Sequence, residues 1–500
     1  MTRLRSILAL ASTLLVTCAR NPEPPRPTPR TDDGALHVTF LHLNDVYEIS
    51  PVEGGKSGGL ARVATLLREL LRENPNTRMV LAGDFVSPSA IGTARVDGQR
   101  LAGRQMVAVL NAAGLDLAVL GNHEFDISEA DLAKRIAESR FAYVNTNVTD
   151  SIGRSLLGLP THQILRFSDA RGRTARIGFV GLTVDQAHRP NLQYRGYAES
   201  VGEEIGRIRD SVDAIVALTH LRLQDDAELA AALPQLDLIL GGHEHENWAI
   251  RRGERFTPII KADANVRTIA VVDVAVRPGT RATTTWRFVP ITDSIPADSA
   301  VAAEVAKWTT VAYDAFRKDG LNPERVVATL PDALDARESV IRNQENDFTR
   351  LLTHAWLAEV PGADAAIANS GSVRLDDVLS AGPITEYDVI RLLPFGGRVV
   401  EVEMTGGLLQ QVVEQGEANH GIGGFLLRAN LERSGDGWRV AGAPLDPARR
   451  YRVAINDFLL TGGEQHLGYL NQRNPGLTVV RTYRDVRLAL IDELRKRYAP

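Results

Sequence analysis

The chain has 500 residues, 44% of them apolar and 24% charged, and a formal net charge of −5. That length is too great for one typical hydrophobic core and implies two domains with additions. A balance this close to neutral gives no electrostatic basis for binding a nucleic-acid polymer. Small phosphorylated molecules stay open, because a metal site supplies its own local positive charge.

In chain order, residues 1–18 come first: basic MTRLR, the short apolar core ILALASTLLV, then Thr17-Cys18. This is the layout of an export signal, and the core is too short to span a bilayer as a folded helix. Cys18 is the only cysteine, so no intrachain disulfide forms. Its place resembles the lipobox of bacterial lipoproteins, where the cysteine is acylated and becomes the mature N-terminus. Thr17 departs from the Gly, Ala or Ser common there, and the alternative is a plain signal cleaved nearby. The expectation is an exported protein of the bacterial cell envelope or periplasm, touching a membrane only through a lipid on Cys18. Residues 19–35 hold NPEPPRPTPRTDDG, which predicts an extended Pro-rich tether.

From 36 to 295 the pattern alternates strand, loop and helix. LHVTFLHL, RMVLAGD, LDLAVLGN, FAYVNTNV, ARIGFVGLT, AIVALTH and LDLILGGH read as strands, with TIAVVDVAV and TTTWRFVPI closing the unit. GLARVATLLRELLRE puts Leu60, Val63, Leu66, Leu67, Leu70 and Leu71 on one helical stripe. GRQMVAVLNAAG and EADLAKRIAES are similar. Such alternation predicts an α/β sandwich. Residues 296–324 contain a helix that Asp298 or Ser299 caps. A second unit spans 325–495, with RLLTHAWLAEV as helix, ADAAIANSG as strand into loop, and DVRLALIDELRKRY as terminal helix.

Five predicted strand ends in the first unit carry metal-capable residues: Asn44-Asp45, Gly83-Asp84, Gly121-Asn122-His123-Glu124, Thr219-His220 and Gly242-His243-Glu244-His245. A lone Gly-Asp is usually a turn, and a lone Thr-His is usually a hydrogen-bonded loop residue. His243 and His245 follow a Gly-Gly that permits close backbone approach, and on extended backbone they share a face. Parallel-type strands bring such loops to one sheet edge. Carboxylate, amide and imidazole together suit Zn, Mn, Fe or Co, and Asp84 is a suitable two-oxygen bridge between two ions.

NDVY, GD, GNHEFD, TH and GGHEH, in that order, resemble the calcineurin-like metallophosphoesterases. With NSGSVR, LPFGG and GGE further on, the resemblance narrows to the 5′-nucleotidase family and covers about 36 to 490. It implies an α/β fold: a four-layer αββα catalytic domain joined by a helix to a smaller α/β C-terminal substrate domain. It implies two divalent ions, with Mn, Zn or Co expected and Fe a further candidate. Asp45, Asp84 and His245 would hold metal one, Asp84 would bridge, and Asn122, His220 and His243 would hold metal two. His123 would stabilise charge on the phosphoryl oxygens, with Asp126 orienting it. The bland reading of Asp126 is a helix N-cap, for which Ser128 is better placed. A metal-bound hydroxide would attack phosphorus of a nucleotide substrate.

The chain departs from the family at three places. The first motif is normally Asp-X-His, and here it is Asp45-Val46-Tyr47. Tyr47 is then a neutral group beside a metal whose vacancy water fills, or a phenolate ligand of a strongly Lewis-acidic ion such as ferric iron, or the mark of a weakened metal one. His42 faces elsewhere by strand alternation. Arg374 ends the loop NSGSVR, where Ser370 and Ser372 replace glycines, and its fork suits phosphate or carboxylate. Phe425 matches a base-stacking aromatic, with a core Phe as the bland reading, and His466 stands where its partner aromatic is usual. Alternative substrates are UDP-sugars, cyclic nucleotides or a sulfur ester. A non-catalytic ligand-binding lipoprotein with a degraded metal site is the reading of a different class.

Overall fold

Strand Leu36–Leu43 shows how the first body is layered. Its side chains alternate: Val38 and Phe40 enter one buried cluster, and Leu41 and Leu43 enter another. A strand buried on both faces reads as a continuous apolar run, as LHVTFLHL does. It lies within a six-stranded sheet ordered Thr283–Pro290, Thr268–Val276, Leu36–Leu43, Thr77–Ala82, Leu117–Val119, Ala142–Tyr143. A second six-stranded sheet runs Trp248–Arg252, Thr257–Lys261, Leu238–Gly241, Ala214–His220, Thr174–Thr183, His162–Ser168. The central pairs of both sheets are parallel, so their C-terminal ends share an edge.

Phe40 meets Phe179 edge to face between the sheets, centroids 5.4 Å apart. Burial of each such ring contributes roughly 1.5–3 kcal/mol. Helices Leu60–Glu73 and Arg104–Ala113 cover the outer face of the first sheet, and Tyr197–Ile208 and Leu223–Ala232 cover the second. The four-layer αββα arrangement is thus present. This computed structural model describes residues 32–498 apart from 187, 188, 190 and 436. The signal, Cys18 and most of the tether lie outside the described residues. Among the described residues no helix is long and apolar enough to cross a membrane.

FAYVNTNV, read as one strand, is two: Ala142–Tyr143 and Val148–Asp150. Between them the chain crosses to the other sheet. Thr146 N donates to Gly181 O at 2.7 Å, and Thr183 N donates to Asn147 Oδ1 at 2.9 Å. Polar side chains in the run capture the neighbouring ladder's groups and end the strand.

Asp298 caps helix Ser299–Lys318, accepting from Ala300 N and Val301 N. This helix packs on Leu60–Glu73 and Arg104–Ala113. Its Trp308, Ala312 and Phe316 belong to a cluster that continues into Phe348, Leu351 and Trp356 of the second body. That body is a five-stranded sheet ordered Leu426–Ala429, Ala365–Asn369, Arg450–Asn456, Arg398–Thr405, Leu477–Asp485. Helices Asp347–Glu359 and Val486–Arg497 lie on one face and Gly406–Ala418 on the other. From Ala35 onward the chain is one compact unit.

Candidate metal centre

The five predicted loops converge at the C-terminal edge of the two sheets. Asp45, Asp84 and Asn122 follow strands of the first sheet, and His220, His243 and His245 end or follow strands of the second. Glycines let the loops touch. A Cβ on Gly121 would lie 2.1 Å from Asp84 Oδ1, and one on Gly242 would lie 2.4 Å from Ala82 O. Neither position tolerates a side chain.

Asp45, Asp84 and His220 are buried, and their ligand atoms lie within 4.8 Å of one another. His220 Nε2 is 3.2 Å from Asp84 Oδ2, and His245 Nε2 is 3.3 Å from Asp45 Oδ1. The His243 ring sits edge-on to His220, centroids 5.2 Å apart. The expectation that His243 and His245 share a face through strand pleating is corrected. Both have left-handed backbone, φ 88° and 59°, as do Asp45 and Asp84 at 52° and 55°. A turn, not a pleat, presents them, at a conformational cost of order 1–3 kcal/mol each.

The residues present fit divalent ions. His220 Nδ1 is 2.8 Å from Ala82 O, which fixes the proton there. Its Nε2, and Asn122 Oδ1, are buried without a hydrogen-bond partner, so each is a candidate donor atom for an ion. Burial alone would raise Asp45 and Asp84, but His220 pulls both carboxyls down, Asp45 strongly and Asp84 to about 2. Burial opposes the charge on His220, yet Asp84 and Asp45 push it up to about 9. Two buried carboxylates therefore call for positive charge beside them.

Tyr47 lies inside this ring. Its hydroxyl is 2.9 Å from His245 Nε2 and 3.2 Å from both Asp45 Oδ1 and Asp84 Oδ2. Burial, then Asp84 and Asp45, push the phenol far above its ordinary value. Asn265 Oδ1 fixes the backbone, accepting from Tyr47 N and Glu48 N. His42 is turned away, its Nε2 2.9 Å from Gly241 O.

His123 stands beside the cluster. Its Nδ1 is 2.8 Å from Asp126 Oδ2, and its backbone N donates to Asp84 Oδ1. Ser128, not Asp126, caps the following helix. Arg374 reaches over from the second body, its guanidinium 2.7 Å from His123 Nε2. Phe425 stands beside the NSGSVR loop, its carbonyl accepting from Ser370 N at 2.9 Å, but its ring is buried. It is 2% exposed, at the head of the apolar run FLL, with its ring against His420. The bland reading of Phe425 as a core residue is the one the geometry gives, and its ring offers no open face. His466 is exposed, its Nδ1 2.8 Å from Asn419 Oδ1.

Several residues at the site escaped the sequence reading. Glu124, inside GNHEFD, is a buried clamp that accepts from the backbone N of Asp84, Phe85, Val86 and Gly121. Glu338 holds Arg374 at 2.9 Å and Arg342 at 2.5 Å. Asp376 Oδ2 makes a short hydrogen bond to His245 Nδ1. Only the motif context of Glu124 carried a signal. Asp376 lies in a loop of the second body and Glu338 opens the short helix Glu338–Ile341, with no motif around either.

The calcineurin-like phosphoesterase pattern matches residues 38–247, and the 5′-nucleotidase C-terminal domain matches 326–469. The chain belongs to the 5′-nucleotidase family of calcineurin-like phosphoesterases. This phosphoesterase is 25% identical to protein UshA of Yersinia enterocolitica over 490 residues, covering 86% of each chain. Its fold matches the 5′-nucleotidase precursor of Thermus thermophilus, with TM-score 0.76, 21% identity, and 93% and 97% of the two chains covered. It also matches the Thermus thermophilus sulfate thiohydrolase SoxB, with TM-score 0.70, 18% identity, and 92% and 94% covered. The members of this family are hydrolases, and the enzyme assignment follows.

Proposed function

We propose that the chain is an exported phosphohydrolase that holds two divalent ions and acts on nucleotides. The observation that carries this is the buried Asp45–Asp84–His220 cluster with the His123–Asp126 pair beside it. Asp45, Asp84 and His245 hold one ion; Asn122, His220 and His243 hold the other, with Asp84 shared. Mn, Zn or Co suits these donors, and when bound such a pair supplies Lewis acidity to the phosphoryl oxygens and to water.

The protein's own groups do the rest. Asp126 accepts from His123 Nδ1 and holds the ring beside the place where phosphoryl charge develops. Arg374 brings a planar fork to the same place. Tyr47 acts as a neutral phenol donating to the carboxylates, since burial beside two anions opposes phenolate. The proposal goes with a catalytic domain at 36–295, a linker helix at 296–324 and a substrate domain at 325–495. It also goes with a signal at 1–18 and a lipid on Cys18.

The buried Phe425 and the His466 substitution favour a second reading, in which the same site takes an ester without a stacked base, such as a sulfur ester. The deciding experiment is elemental analysis of protein purified without chelator, followed by hydrolysis assays on nucleoside monophosphates, UDP-sugars, cyclic nucleotides and sulfur esters. One ion per chain after soaking in Mn or Zn would end the two-ion reading. Turnover confined to the sulfur ester would end the nucleotide reading.

A further inference from the structure

Asp376 belongs to the second body, yet its carboxylate ends on a histidine of the first. Its Oδ2 accepts from His245 Nδ1, and its Oδ1 accepts from Glu338 N at 2.8 Å. Arg267, in the first body, donates to the Asp376 carbonyl at 3.5 Å and pairs with Asp377 at 3.1 Å. The residue itself is left-handed at φ 45°, which Asp tolerates better than most side chains. The carboxylate is thus fixed from both sides of the interface.

The opposite nitrogen, His245 Nε2, faces Tyr47 Oη and Asp45 Oδ1. A carboxylate on one imidazole nitrogen fixes the tautomer, aims the other lone pair and strengthens it as a donor. The Asp45 side of the cluster has Tyr47 where an imidazole would otherwise be a second strong donor. A charged partner behind its remaining histidine offsets that loss.

We propose that Asp376 is a positioning residue that holds His245 for its ion across the domain interface. The ion on His245 then binds at full affinity only when the two bodies are docked, and its binding favours docking in return. This rests on the metal reading of the preceding section.

The test is a calorimetric titration of chelator-stripped full-length protein with Mn²⁺, for wild type, Asp376→Asn and Asp376→Glu. Asp376→Asn is expected to weaken one of the two ions by about 10–100-fold and leave the other unchanged, as loss of such a partner does elsewhere. Asp376→Glu should recover part of the loss. In a His245→Ala background, Asp376→Asn should have no further effect. Should Asp376→Asn prove unfolded by circular dichroism, Arg267→Gln, which frees the loop without touching the pair, should weaken the same ion to a smaller degree. Unchanged affinity in a folded Asp376→Asn or Arg267→Gln variant overturns the inference, as does an equal loss with and without His245. A wild type that takes up no ion overturns the metal reading and this inference together; a wild type that binds ions no better than Asp376→Asn overturns this inference alone.

Discussion

Arg374 donates to His123 Nε2 at 2.7 Å while Asp126 holds Nδ1 at 2.8 Å, so one imidazole is gripped by residues of both bodies. Arg374 is itself held by Glu338, and its Nε is buried without a partner. A phosphoryl oxygen arriving at His123 meets a guanidinium already in place. Arg374→Lys should lower kcat/KM by roughly 10²-fold, because a point charge does not replace the fork. Steady-state kinetics check this, and a Lys variant with wild-type efficiency would remove Arg374 from the substrate site.

Asp126→Asn keeps the shape beside His123 and removes the negative charge. If the pair stabilises only the transition state, kcat and kcat/KM should fall together, by about 10²–10³-fold. A rise in KM at constant kcat would instead make it a ground-state binding group.

Tyr47→Phe removes one hydroxyl from among three expected ligands. With a neutral phenol, the metal content and visible spectrum of the purified variant should match wild type. Loss of one ion, or of a charge-transfer band, would make the phenolate reading correct. Tyr47→His should tighten the weaker ion by about tenfold or more, equivalent to ~1.4 kcal/mol, and unchanged affinity would count against any place for residue 47 in the shell.

Phe425→Ala should behave as a core truncation. A loss of about 3–5 kcal/mol in urea unfolding is expected, with KM values for nucleotides of different bases shifted alike. A base-selective KM change at unaltered stability would restore Phe425 to the substrate pocket.

Lys261 is buried, donating to Leu221 O at 2.6 Å and Gly242 O at 2.8 Å, and pairs with Asp226 at 2.9 Å and with Glu244. It ties the loop after His220 to the loop before His243. Lys261→Met leaves the buried Asp226 and the half-buried Glu244 without their cation and should cost about 3–5 kcal/mol, measured by denaturant unfolding. A stable variant would mean that water reaches this cluster.

The sandwich was legible because strands such as LHVTFLHL are buried on both faces and helix Leu60–Glu73 carries one apolar stripe. Residues at strand ends were legible for the same reason: parallel strands deliver their ends to one edge, and Asp45, Asp84 and His220 do meet there. What the reading lacked was orientation. Left-handed turns at His243 and His245 replace the pleat inferred for them, and the readiness of His and Asp for a positive φ does not mark which of them will adopt it. Asp376 was invisible because its partner His245 lies more than a hundred residues away, and Glu338 because its contact with Arg374 forms only when a helix start meets a separate loop. Phe425 was ambiguous, although the Leu426-Leu427 that follow it hinted at a buried strand.

Four of the residues at the metal centre, Asp45, Asp84, His243 and His245, sit at backbone angles that suit glycine, and two of them are buried acids side by side. Glycine at residue 45 or 84 would relax the backbone, but it would take from His220 a carboxylate beside it and from His243 N or His123 N its acceptor. The strained turns are thus tied in place by the carboxylates they present.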